Sequence, residues 1–293
     1  MLCNICPRNC NTDRNTKVGY CKMTETLKVS RAALHHWEEP CISGENGSGT
    51  VFFSGCNMGC VFCQNQDISH HGFGKEISVE RLAEIFLDLQ HKKAHNINLV
   101  TPTHFVPQII KAVEISRKNG LSIPIVYNTS GYEKNENIAA LKGVVDVYLP
   151  DFKYFSAETA QKYSCCADYP QMVKKAIDSM VAQTGPCVFD DDGMVTKGVI
   201  VRVLVMPGHT DEAKQIIEYL YNRYGDDIFI SIMSQYTPCT NLEKYPEINR
   251  KLTQEEYDDV IDFAVELGLE NGFVQEGESA SESFIPPFNL EGV

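Results

Sequence analysis

Three cysteines fall within eight positions of the run SGCNMGCVFCQN, residues 54–65: Cys56, Cys60 and Cys63. Thiolates are soft ligands that suit zinc and iron–sulfur clusters. A structural zinc site takes four protein ligands, and disulfides take cysteines in pairs at bonding distance. A CxxxCxxC triplet with no fourth cysteine at equally tight spacing therefore reads as a site with one position left open. In a cubane of four irons, three anchored thiolates leave the fourth iron free to bind and activate a small molecule. The spacing alone also admits a zinc site completed by a distant cysteine or histidine, or buried thiols without metal.

A second group, Cys3, Cys6, Cys10 and Cys21, has the spacing CxxCxxxCx10C. Four thiolates can close a tetrahedral zinc site or hold a second cluster, and the sequence leaves the two open, with Cys41 able to replace one ligand. Either metal would fasten a segment too short to fold alone. Cys165, Cys166, Cys187 and Cys239 are scattered and read as small buried hydrophobes. The pairs His35-His36 and His70-His71 form no metal spacing.

Charged and polar residues outside the cysteines suggest a shared rim. After successive apolar runs come Thr101-Pro102-Thr103-His104, Asn128-Thr129-Ser130-Gly131, Asp151-Phe152-Lys153, and Arg202 followed by Pro207-Gly208-His209. The runs themselves, TVFFSG (50–55), INLVT (97–101), PIVYNT (124–129), VDVYLP (145–150), GVIVRVLV (198–205) and IFISIMS (228–234), are nearly continuous in apolar residues. That is the signature of strands buried on both faces of a parallel sheet. Between them lie helix-period stretches: Val79, Leu82, Ile85, Phe86 and Leu89 behind a Ser78 cap, Val106 to Lys118 stopped by Asn119-Gly120, Asp211 to Tyr224, and a segment opened by the Thr253/Glu256 capping-box pair. Six strand–helix units, with GFVQ (272–275) as a seventh strand, predict an α/β protein built on a partial (β/α)6 TIM-like barrel; a doubly wound sheet fits less well. Barrel chemistry gathers at the C-terminal ends of the strands, where these polar residues stand. We expect residues 1–49 to form a cysteine-rich metal-binding extension with the Gly/Ser-rich run SGENGSG as linker or ordered loop, and residues 50–293 the barrel with a C-terminal tail.

Composition narrows the function. With 293 residues, 43% hydrophobic and 22% charged, the chain is globular, and no apolar run approaches a membrane span. A formal net charge of −13 disfavours nucleic acid as a partner. Twelve cysteines behind a polar N-terminus without signal character point to reduced thiols and a cytoplasmic location.

The motif, its place after a first strand and the order of rim residues resemble the radical S-adenosylmethionine (radical SAM) enzymes. The context FFSGCNMGCVFCQN is similar to the activating enzymes of glycyl radical enzymes, and the chain most resembles proteins like the pyruvate formate-lyase activating enzyme. The resemblance implies a [4Fe-4S] cluster on Cys56, Cys60 and Cys63 whose free iron chelates SAM. One electron then yields methionine and a 5′-deoxyadenosyl radical that abstracts hydrogen. It further implies Phe62 near the adenine, Asn65 two positions past the last cysteine, Arg202 at the SAM carboxylate or ribose, His209 in the adenine-side loop, and Asp151 with Lys153 lining the site. Asn128, Thr129 and Asp151 would offer hard oxygens to a monovalent cation. Where that group carries a Gly-Gly-Glu-Pro-like segment, this chain reads VTPTHFVP, leaving Thr103 or His104 to meet the SAM amino group; Gly59 stands where relatives often carry a basic residue. A glycyl radical enzyme as protein substrate and a flavodoxin- or ferredoxin-like electron donor follow from the same resemblance. The alternatives are radical modification of a peptide or small metabolite, and an iron–sulfur carrier or scaffold without SAM chemistry, which would need no such polar rim.

Overall fold

A computed structural model describes residues 2–238, 242–275 and 286–293; Cys239 lies outside them. In chain order the strands are β1 Lys28–His35, β2 Ser48–Phe53, β3 Lys75–Glu76, β4 Ile97–Val100, β5 Ile125–Thr129, β6 Val147–Pro150, β7 Val188–Phe189, β8 Val195–Leu204, β9 Phe229–Met233 and β10 Gly272–Val274. The helices are α1 Pro40–Ser43, α2 Gln66–Ser69, α3 Val79–His91, α4 Val106–Lys118, α5 Asn135–Ala140, α6 Ala157–Ser164, α7 Tyr169–Thr184, α8 Thr210–Tyr224 and α9 Gln254–Glu266.

The expected strands form one parallel run, β10-β9-β8-β6-β5-β4-β2, so their C-terminal ends face one side. Every residue of β2, β4, β5 and β6 is buried, as continuous apolar runs covered on both faces must be. The sheet curls into an open (β/α) barrel, with β1 and β3 at one margin and β10 at the other.

Helix signals translate directly. Ser78 Oγ accepts the Arg81 N–H to cap α3, whose Leu82, Ile85, Phe86 and Leu89 are buried, and Thr253 and Glu256 form a capping box at α9. A fully buried Phe or Leu contributes about 1.5–3 kcal/mol. These faces supply much of what holds helices on the outside of the sheet.

The segment expected as an extension also contributes to the barrel. β1 pairs antiparallel with β2 from Val29↔Phe53 to His35↔Ser48. α1 then enters the barrel interior, where Ile42 packs with Val126, Leu149 and Ile200, and the Asn96 side chain donates to the Ile42 carbonyl at 2.8 Å. The Gly/Ser-rich run is an ordered turn; its Ser48 and Gly49 already belong to β2. At the outer edge of β1, Leu290 N–H donates to Ser30 O (3.0 Å), Ala32 N–H donates to Glu291 O (2.8 Å), and Arg31 pairs with Glu291 (2.6 Å). Among the described residues no helix is long and apolar enough to cross a membrane.

Candidate active site at the rim of the barrel

The loop after β2 carries the cysteine triplet into a cavity at the C-terminal ends of the strands, and Cys56, Cys60 and Cys63 all line it. Gly55 makes the turn possible: its φ is +82°, and a Cβ there would lie 2.4 Å from Met23 Cγ and 2.5 Å from Cys21 O. Each sulfur has a donor beside it. Met58 N–H donates to Cys56 Sγ (3.4 Å), Ser164 Oγ–H donates to Cys60 Sγ (3.0 Å), and Ser69 Oγ lies 3.2 Å from Cys63 Sγ. Burial, then repulsion from its two neighbours, pushes the Cys56 thiol up to about 12, and burial followed by Cys60 raises Cys63. Three thiolates crowded in a low dielectric would need positive charge beside them.

Across the cavity stands a part-buried ionic network. From β8, Arg202 donates through Nε to Asp151 Oδ1 (2.7 Å), through Nη1 to Glu38 Oε2 (3.1 Å) and through Nη2 to Asn128 Oδ1 (2.6 Å). Lys153 Nζ donates to Asp151 Oδ2 at 2.6 Å. Against the opposing effect of burial, Arg202 and Lys153 hold Asp151 below the usual carboxylate range, and Asp151 holds Lys153 above its own. Asn98 and Asn128 donate to Glu38 Oε1 at 3.1 and 3.2 Å. Every oxygen of Glu38 and Asp151 is thus engaged.

The radical SAM superfamily model matches residues 50–220, more than half of the chain. The chain belongs to the radical SAM superfamily. It is 34% identical over 279 residues to an uncharacterized protein of Methanocaldococcus jannaschii, covering 92% of this chain and 75% of that one. Among solved structures it resembles Streptococcus suis SuiB bound to S-adenosylmethionine (TM-score 0.52, 11% identity, 78% of this chain and 50% of that one) and native anSMEcpe with bound AdoMet (TM-score 0.51, 15% identity, 75% and 61%). The chain thus spans about half to three-fifths of those structures, and at such identity the likeness concerns the fold.

Most residues expected of a radical SAM site meet in this cavity. With the cysteines, it is lined by Phe62, Asn65, Asn128, Thr129, Asp151, Lys153 and Arg202. Phe62 packs its ring 5.7 Å from Tyr236 and 6.4 Å from both Tyr154 and Tyr163. Three expected residues, Thr103, His104 and His209, are absent from the lining. Thr103 is buried, its hydroxyl donating to Glu133 Oε1 at 2.6 Å, and His209 lies with Nε2 2.9 Å from Tyr163 Oη. His104 is also buried: Nε2 bonds Ser54 O at 2.8 Å, and burial lowers its pKa to about 3. The rim position that lines the cavity instead is Thr101, in the left-handed region at φ 59°, uncommon for a β-branched residue. The oxygens expected to hold a monovalent cation are already occupied, since Asn128 Oδ1 and both Asp151 oxygens accept from Arg202 and Lys153, and Thr129 donates to Glu133 at 2.7 Å. Gly59 has φ +75° with Tyr20 Oη 3.3 Å from where a Cβ would stand, so a basic side chain there would be strained.

Sequence reasoning did not reach Glu38 or Glu39, and it placed Thr101 on the rim without giving it a role. Glu38 precedes the barrel motifs by some distance in the chain, and only the return of β1 beside β2 carries it to Arg202.

The N-terminal cysteines gather at the back of the cysteine loop. Cys10 and Cys21 Sγ lie 3.4 and 3.5 Å from where a Gly19 Cβ would stand, and Cys3 and Cys21 both act electrostatically on Cys6. Burial dominates there, pushing Cys6 to about 11. Arg8 bonds the carbonyls of Asn57 (2.7 Å) and Met58 (2.7 Å) inside the triplet, and of Ser164 (2.8 Å), while lying 4.0 Å over the Tyr20 ring. Among the described residues, no three His, Cys, Asp or Glu side chains converge on a single ion-sized point.

Proposed function

We propose that the protein is an enzyme of radical chemistry that binds a [4Fe-4S] cluster through Cys56, Cys60 and Cys63 and cleaves SAM reductively. The observation that carries this reading is one cavity lined by three cysteines, each with a hydrogen-bond donor at its sulfur, together with the Arg202–Asp151–Lys153 network. Bound there, cluster and SAM would supply one-electron cleavage to methionine and a 5′-deoxyadenosyl radical. The chain's own part is to bind, orient and exclude water. Phe62 and Tyr236 offer an apolar wall for the adenine. Arg202, with its carboxylate and amide partners fixed, presents a rigid polar face for the ribose or carboxylate of SAM. Thr101, the strained rim residue, offers a hydroxyl where Thr103 does not.

For the substrate, resemblance to the glycyl-radical activating enzymes favours a glycine of a large partner protein, with electrons from a flavodoxin- or ferredoxin-like donor. Modification of a peptide or small molecule is the second reading; it is supported by the opening between β1 and β10 and by the likeness to SuiB, solved in complex with its precursor peptide SuiA. The N-terminal cysteines are proposed to hold zinc or a second cluster.

The test is anaerobic. Reconstituted protein reduced with dithionite should release 5′-deoxyadenosine from SAM; Cys60→Ala should abolish release and Cys165→Ala should retain it. Equal loss in both variants contradicts the assignment. A glycyl radical signal in electron paramagnetic resonance, formed only with a candidate partner enzyme, separates the two substrate readings.

A further inference from the structure

A second cavity lies along the open margin of the barrel. Glu38 and Glu39, just after β1, line one wall, and Phe273 and Gln275 line the other. It shares Asn65, Asn128, Arg202 and Gln235 with the cysteine cavity, so the two cavities adjoin. Trp37, Phe52 and Phe273 give it aromatic surface, which suits a cation.

The charge along this wall is unbalanced. Glu38 and Asp151 face Arg202 and Lys153, two carboxylates against two cations, with every carboxylate oxygen engaged. Glu39 is a third carboxyl, only 8% exposed, and among the described residues no donor reaches its Oε2. His35 adds no positive charge, because burial, then Arg31 and His36, lower its pKa to about 4. Burying a carboxylate without a cation of its own is costly, and such a group takes up a proton or a partner. Burial pushes Glu39 upward, against the pull of Arg202.

We propose that this margin cavity is the substrate subsite and that Glu39 holds there an organic cation, a primary ammonium or guanidinium, carried by the substrate. The inference rests on the radical SAM reading above, since it uses the adjacency of the two cavities. The sulfonium of SAM is not the cation in question, because Glu39 does not line the cysteine cavity.

Titration calorimetry on the reconstituted protein with SAM present tests this directly, with n-butylammonium, n-butylguanidinium and n-butanol as probes. One or both cations should bind saturably, the tighter one naming the group, and butanol should not. Glu39→Gln should weaken cation binding about tenfold or more, the loss expected of a charge-assisted hydrogen bond, while keeping its iron content and thermal midpoint. Should that variant fail to fold, Glu39→Asp should keep the preference for cation over alcohol at reduced affinity. Equal binding of butanol, absence of cation binding, or undiminished binding in Glu39→Gln overturns the proposal. Binding is read without SAM cleavage, so either reading can fail while the other stands.

Discussion

Arg202 is part-buried and divided among Asp151, Glu38 and Asn128, so its replacement should cost far more than a surface charge would. Arg202→Met takes the cation from Glu38 and leaves Asp151 with Lys153 alone, and should lower stability by about 3–5 kcal/mol, measurable by urea unfolding. The pH dependence has two limbs. Asp151 is held below its ordinary value, so its contribution is present above pH 3.8 and lost as pH falls through its folded value. Lys153 is held above its ordinary value, so its contribution is present below pH 10.5 and lost as pH rises through its folded value. Asp151→Asn should therefore flatten part of the acid limb of a urea-midpoint profile. An unchanged acid limb would show that other carboxylates govern it. Thr101 is the residue whose backbone is least comfortable. Thr101→Gly should stabilise the fold by up to about 1 kcal/mol while slowing SAM cleavage. The cysteines, Asp151 and Lys153 were legible because each follows an apolar run, and Arg202 because it is a charge set within one. Thr103 and His104 shared that position and still turned inward, since Glu133 and the Ser54 carbonyl claim them; a long-range partner of that kind leaves no mark on local spacing.

Elements were the most readable scale. β4, β5, β6 and β9 fell within one or two residues of their expected ends, and α4 ended at Asn119-Gly120 as its signal required. β1 went unseen because a run such as KVSRAALH mixes its polar and apolar positions, and its partner β2 is also paired on its other side with β4. The connection after β6 is longer than one unit: α6 and α7 follow each other, broken at Cys165 with φ 50°. Arg8 lies between two elements and is bonded to carbonyls of both the cysteine loop and the end of α6. Arg8→Met should lower iron retained per chain while leaving far-ultraviolet circular dichroism unchanged. Full retention of iron would show that the loop holds its own shape.

At the scale of the whole molecule, the N-terminal segment and the barrel depend on each other. Removing residues 2–47 takes away β1 and α1, and should leave a chain without near-ultraviolet circular dichroism. A truncated chain that kept a native spectrum would show the barrel to be independent of them. The chain's last described residues, 286–293, lie against a strand made near its start, through Leu290 to Ser30 and Glu291 to Ala32. During synthesis the part of the outer edge of β1 that β3 does not cover, from Ser30 to Ala32, therefore waits, bare, until residues 290 and 291 have been made. A strand margin left open that long invites pairing with other nascent chains. The yield of soluble protein should accordingly respond to chaperone supply and to translation speed.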